Sequence, residues 1–280
     1  MIEICNLTKS FGNFKALDDL TLTIPDGGFW GLLGPNGAGK TTTIRILSTL
    51  LLPDSGEVRI NGERLTRQRV DLKRTISVVT QEYSIRHDMN VDEVMEYQGR
   101  LYHMPVREIR QKSEKLLEFC GLIPARKKQV RTLSGGMKRK LMVCRALLTD
   151  PQIILLDEPT AGMDAISRRQ MWELLQKLNS QNLTILLTTH YIEEAQMLCD
   201  QVAMMDSGRL DSVNSPGEMI RNLGEYAVDY RAQGELRTDF FAEREPAVQR
   251  MLELGKEASM RDTTLEDVFI ERVGKKLGDE

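Results

Sequence analysis

GPNGAGKTT, residues 34–42, is the stretch that decides how this chain folds. It follows a short apolar run, Phe29 to Leu33, and leads into a helical pattern over Thr41 to Leu52 that Pro53 ends, so the local order is strand, glycine loop, helix. G-x-x-x-x-G-K-[ST] in that setting is a loop for cradling phosphates. Gly34, Gly37 and Gly39 let backbone N–H groups turn inward where a Cβ would clash, and the start of the helix adds positive potential. Lys40 is placed to reach the β- and γ-phosphates of ATP and Thr41 to offer its hydroxyl to Mg²⁺, with Asn36, Ala38 and Thr42 completing the cradle.

A second run, IILLDEPT at 153–160, is an apolar strand that finishes on two adjacent carboxylates. Alone, the two acids have a second reading, as caps for the next turn. Beside a phosphate loop they ask for a cation: Asp157 then holds the Mg²⁺ shell, through Thr41 or water, and Glu158, one residue past the strand, is placed to polarise an attacking water.

Working outward, residues 1–30 read as short strands separated by turns, an antiparallel sheet at the edge of the core. Residues 82–130 are polar and helical in pattern and read as an inserted helical subdomain reaching to about 150. Ile153 to Leu156 and Thr184 to Thr189 are apolar runs flanking an amphipathic helix between Ser167 and Leu178, the arrangement of a parallel sheet covered on both faces. After Ser215, which heads a capping box with proline at the first helical position, a helix runs to Gly224. Tyr226, Val228 and Tyr230 alternate as a strand, and Thr263 to Glu266 reads as a second capping box opening a last helix to Gly274.

Between the two acidic and glycine motifs lies LSGGM, residues 133–137. Ser134 can cap a helix from Met137 to Leu148, and Gly135 and Gly136 allow a phosphate to approach its positive end; without a phosphate loop the same residues are an ordinary serine-capped helix. With these motifs in this order, residues 1 to about 215 resemble the ABC ATPase family. The resemblance implies an α/β fold: a P-loop NTPase (RecA-like) core with an N-terminal antiparallel β-subdomain, an inserted α-helical subdomain and a small α+β C-terminal extension over 216–280.

The same resemblance implies further roles. Ser134, Gly135 and Gly136 contact the γ-phosphate held by the other subunit. Gln81, after the strand Ile76 to Val79, senses Mg²⁺ and water and couples to the membrane subunit; His190, which in isolation is more often a core-edge histidine, bonds the γ-phosphate. Asp164 links the two sites across the dimer, and Phe11, otherwise a core phenylalanine, stacks on adenine. Met137 and Met163 stand where the family usually has glutamine and leucine, and Phe11 where tyrosine is common; none of these removes a phosphate, metal or water ligand. LSGGMKRKL, TTHYIEEAQMLCDQVAMMDSGRL and TTLEDVFIERVG are similar to exporters of the daunorubicin-resistance, nodulation-factor and lipo-oligosaccharide group.

The resemblance further implies that each glycine loop is completed by the LSGG of another copy, so that a complete site requires a head-to-tail pair, a homodimer or a pairing with a second such ATPase, with a separate transmembrane permease as partner. Composition agrees: 41% hydrophobic and 28% charged residues are ordinary globular proportions, and no run is long enough to span a bilayer. A net charge of −3 offers no field for nucleic acid. Arg126-Lys127-Lys128 and Lys138-Arg139-Lys140 read as solvated faces, and the four scattered cysteines as reduced core residues. With no secretory leader, the expected place is the cytoplasmic face of the inner membrane, peripheral through the permease. The alternatives are a non-transport ATPase, which normally carries two cassettes or a long coiled coil, and an importer subunit.

Overall fold

A computed structural model describes residues 1–277 apart from Gln233. The chain forms two compact units, one of residues 1–190 with 203–212 and one of residues 191–202 with 213–280. The division is therefore not a single point near 215, because residues 191–202 go with the second unit.

In the first unit, strands β1 (Ile2–Phe11) and β2 (Phe14–Ile24) form a long antiparallel pair, followed by β3 (Phe29–Leu33) and helix α1 (Lys40–Leu47). The short strands expected at the N-terminus are two long ones. Register shifts after Ile4 and after Leu7, with Asn6 at φ 49°, break the two-residue alternation that would have marked them as continuous. Helix α1 stops at Leu47, five residues before Leu52: Thr49 turns to φ 60° and Leu50 lies 65% exposed, so the apolar pattern no longer follows a helix face.

Next come β4 (Ser55–Ile60), β5 (Glu63–Arg64), α2 (Val70–Arg74) and β6 (Ile76–Val79). Strands β2, β1, β4 and β5 lie side by side in one sheet, and the buried faces of β1, β2 and β4 share a core with Leu32, Ile44 and Leu47. The helical insertion is α3 (Val91–Leu101), α4 (Val106–Phe119) and α5 (Gly135–Leu147). Asn90 and Glu93 close a capping box at α3, and Arg126 bridges Asp92 and Glu114, tying α3 to α4. That arginine belongs to an ion-pair network, not to a bare solvated face, and Arg139 departs further from expectation, being 2% exposed.

Strand β7 (Ile153–Asp157), helix α6 (Ala165–Asn179) and strand β8 (Thr184–Thr189) complete the centre of the fold; α7 (Ile192–Leu198), β9 (Gln201–Asp206) and β10 (Arg209–Asn214) follow. The large sheet has the order β10-β9-β3-β8-β7-β6. Strands β3, β8, β7 and β6 are mutually parallel, with Leu33 opposite Thr189, Asp157 opposite Thr188 and Val79 opposite Leu156. Their carboxyl ends therefore form one line, and the loops that leave them open on one edge of the sheet.

The second unit contains α7, α8 (Pro216–Leu223), β11 (Tyr226–Ala232), β12 (Glu235–Phe241), α9 (Arg244–Leu254), β13 (Ser259–Asp262) and α10 (Leu265–Leu277). Strand β11 is central in a three-stranded antiparallel sheet. The start of helix α10 is bonded one residue later than expected: the N–H and hydroxyl of Thr264 both donate to Asp267 Oδ2, at 2.8 and 3.0 Å, so Thr264 and Asp267 are paired there and not Thr263 and Glu266. The helix also continues past Gly274 to Leu277. Of the cysteines, Cys120, Cys144 and Cys199 are buried and Cys5 is half-buried. Among the described residues no helix is long and apolar enough to cross a membrane.

Candidate active site

The loop from β3 to α1 carries the residues expected of a phosphate cradle. Gly39 takes φ 100°, and a Cβ there would meet Ala16 O at 2.5 Å, so glycine is required by both conformation and space. Gly37 is also left-handed, at φ 85°, with open space where a Cβ would stand. Lys40 is 4% exposed and folds back over its own loop, donating to Gly34 O at 2.8 Å and Pro35 O at 2.9 Å. Burial pushes its ammonium below the usual lysine range, opposed by the charges of Glu158 and Asp157.

Asp157, the last residue of β7, accepts from Thr41 Oγ1 at 3.1 Å and from Thr188 Oγ1 at 2.7 Å. The loop's threonine and the strand's carboxylate are thus already joined. Glu158 follows at φ 47°, a left-handed conformation that costs a non-glycine residue about 1–2 kcal/mol. The turn lifts its carboxylate off the sheet edge to a place between two partners. Gln81 Nε2 donates to Glu158 Oε2 at 3.1 Å, and His190 Nδ1 stands 3.1 Å from Glu158 Oε1. Gln81, Glu158 and His190 leave the ends of the three adjacent strands β6, β7 and β8, which is why residues 77 and 32 positions apart in the chain converge.

These groups line one cavity of about 370 Å³, floored by Asn36, Gly37, Gly39, Lys40, Thr41 and Thr42, with Gln81, Glu158 and His190 at one side. Phe11 and Phe14 stand at its mouth, 48% and 58% exposed. Phe11 is therefore not a core residue. Phe14 was missed in the sequence; the signal was the FGNF hairpin, which places an aromatic on each side of the Gly12-Asn13 turn as a cross-strand pair. Thr188 was missed as well, because a hydroxyl inside an apolar strand run reads as one more β-branched residue.

Ser134, Gly135, Gly136 and Asp164 do not line this cavity. Ser134 caps α5, its Oγ accepting from Met137 N at 3.3 Å, so that helix begins at Gly135 and not at Met137. Asp164 caps α6, accepting from Ser167 N at 2.9 Å and Ser167 Oγ at 2.7 Å. The backbone N–H of Ser167, then its hydroxyl, hold the Asp164 carboxyl below the usual range, so it is anionic at neutral pH. The two caps are neighbours: a Cβ on Gly136 would stand 3.1 Å from Ser167 Oγ.

Comparison with known proteins gives the same picture. The family pattern described as ABC transporter matches residues 17–161. A Nod factor export ATP-binding protein I from Cupriavidus metallidurans is 36% identical, over 100% of this chain and 99% of that protein. The daunorubicin/doxorubicin resistance ATP-binding protein DrrA of Streptomyces peucetius is 38% identical, over 82% of this chain and 70% of that one. Among solved structures, cbiO1 from Clostridium perfringens superposes with a TM-score of 0.72 at 26% identity, covering 78% of this chain and 89% of that one. The dimeric ATP-binding cassette MJ0796 bound to ADP and Pi superposes with a TM-score of 0.69 at 27% identity, covering 77% and 98%. A phosphate loop, a paired acidic strand end and a relative 36% identical over 99% of its length leave one assignment: the chain belongs to the ABC transporter family as an ATP-binding, ATP-hydrolysing subunit.

Proposed function

We propose that two copies of this chain, or this chain and a second such ATPase, pair head to tail around ATP and drive a separate permease that exports a drug-, lipid- or saccharide-like compound. The observation that carries the reading is the Glu158 carboxylate, held between Gln81 and His190 across the cavity from the phosphate loop.

Glu158 polarises the attacking water, with Gln81 fixing one carboxylate oxygen and His190 standing at the other and serving the γ-phosphate. Lys40 is already stripped of water, so its charge acts on phosphate oxygens at low local dielectric. Thr41 Oγ1, the Asp157 carboxylate and the Gln81 amide oxygen are an all-oxygen donor set that fits Mg²⁺, and no cluster of three or more His, Cys, Asp or Glu forms a metal cage among the described residues. That suits an ion whose other ligands are phosphates and water. When bound, Mg²⁺ neutralises charge on the phosphate oxygens. The exposed rings of Phe11 and Phe14 suit stacking on adenine.

Ser134, Gly135 and Gly136 lie outside their own cavity, which supports a role at the γ-phosphate of the partner, with Asp164 beside them linking the sites. ATP contacted from both sides favours the closed pair, and its hydrolysis releases it. A groove of about 380 Å³ lined by Leu50, Gln98, Tyr102 and Arg145 exposes apolar groups for a cytoplasmic loop of the permease, which would hold the chain at the inner face of the cell membrane. The exporters named among the relatives support the outward direction.

Glu158→Gln tests the reading. The variant is expected to bind ATP, accumulate as an ATP-trapped dimer and lose turnover, because phosphate contacts survive while the water loses its polarising group. Normal steady-state hydrolysis would refute the assignment.

A further inference from the structure

The segment that follows β6 has no regular structure from Thr80 to Ser84, yet it carries Gln81 to Glu158. Helix α5 grips it at several points. Arg139, 2% exposed on α5, donates through one guanidinium nitrogen to Thr80 O at 2.6 Å and through the other to Gln81 O at 2.9 Å. Six residues along the same helix, Arg145 donates to Ser84 O and to Ser84 Oγ, the latter at 2.7 Å. Between them the Tyr83 ring lies 5.2 Å from the Arg139 guanidinium, and its hydroxyl reaches 3.4 Å to the carbonyl of Gly135, the first residue of that helix.

A buried guanidinium is costly to desolvate, and here two of its bonds go to consecutive main-chain carbonyls of an irregular segment. The fork geometry matters. Its two donors hold the two peptide groups that flank the Gln81 Cα, one through each carbonyl, which a single ammonium does less well. Holding both flanking peptides fixes the origin of the Gln81 side chain.

We infer that Arg139 is a positioning residue for Gln81: it hangs the Gln81 backbone on the helix that Ser134 caps, so that Gln81 stands at Glu158 only while that helix is in place. The inference rests on the proposed roles of Gln81 and Glu158. Its consequence is that one rigid element serves two sites. The end of α5 at Ser134 to Gly136 is offered to the partner's nucleotide, while its second turn sets the glutamine of the chain's own site, so docking of the helix and readiness of the water position become one event.

The test is a double-mutant cycle on steady-state ATP hydrolysis by the full chain, with Arg139→Gln, Gln81→Ala and the two combined. Arg139→Gln is expected to lower kcat roughly tenfold while KM for ATP stays within about twofold, and Arg139→Lys to recover part of the loss. If Arg139 acts through Gln81, the double variant turns over within about twofold of Gln81→Ala alone. Losses that multiply, a rise in KM without a fall in kcat, or an Arg139→Gln rate within about twofold of the unaltered chain each overturn the inference. Should Arg139→Gln melt below the assay temperature, Arg139→Lys carries the same cycle with the same two outcomes. Failure of the underlying site is seen separately, as normal hydrolysis by Glu158→Gln or by Gln81→Ala.

Discussion

The buried hydroxyl of Thr188 donates to Asp157 Oδ1 at 2.7 Å and accepts from the N–H of Glu158 at 3.1 Å, so one side chain on β8 braces both acids at the end of β7. Thr188→Val keeps the shape and removes the brace. Asp157 then keeps Thr41 as its hydroxyl partner, and the expected cost is about 1–3 kcal/mol of stability. Because Glu158 sits in a strained turn, turnover should fall more than ATP affinity. Thermal melting together with kcat and KM checks both halves; a variant with unchanged melting and rate would show the brace to be idle.

Lys40→Ala is expected to weaken ATP binding itself. The ammonium is 4% exposed and aimed over the glycine loop, so its loss removes a desolvated charge-assisted contact of about 1.5–3 kcal/mol, or roughly a 10- to 150-fold rise in Kd. Equilibrium binding of a fluorescent ATP analogue measures it, and an unaltered Kd would count against the cradle.

Phe11→Ala and Phe14→Ala separate the two aromatics at the cavity mouth. Stacking on a base is worth about 1–3 kcal/mol, so the ring that stacks should, when removed, raise the Kd for ATP by roughly 5- to 150-fold. ATP and GTP should be affected alike, since every base presents a π face. If neither variant changes affinity, the adenine lies elsewhere.

Asp267→Asn probes the second unit through pH. Burial alone would raise this carboxyl, but its bonds from Arg261 and from Thr264 outweigh burial and hold its pKa below 3.8. A carboxyl depressed in the folded state stabilises the fold above the unfolded pKa, and that contribution disappears as pH falls through the folded value. Asp267→Asn should therefore cost about 1.5–3 kcal/mol at pH 7, the worth of charged hydrogen bonds, and progressively less below about pH 4. Urea unfolding across pH 3–7 reads the difference; a gap independent of pH would mean that the charge of Asp267 contributes nothing.

The second unit also shows why parts of the chain resist reading. Strand β12, helix α9 and strand β13 left no clear apolar period, because polar pairs hold them where carbon packing usually would. Arg250 meets Asp239 at 2.9 Å and lies over the Tyr230 ring, and Arg261 joins Asp229 on β11 to Asp267 on α10. Arg139 was opaque for a related reason: in a run of three basic residues nothing marks the middle one as buried until α5 is packed against the segment after β6.

What could be read from residues alone is what depends on neighbours in the chain: the glycine loop between strand and helix, the acidic strand end, and the caps at Ser134 and Ser215, each set by backbone geometry within three or four positions. The meeting of Gln81 and His190 on Glu158, the brace at Thr188 and the grip of Arg139 belong to the folded chain. They arise from the parallel register of β6, β7 and β8 and from the packing of α5, which bring together groups that no local spacing relates.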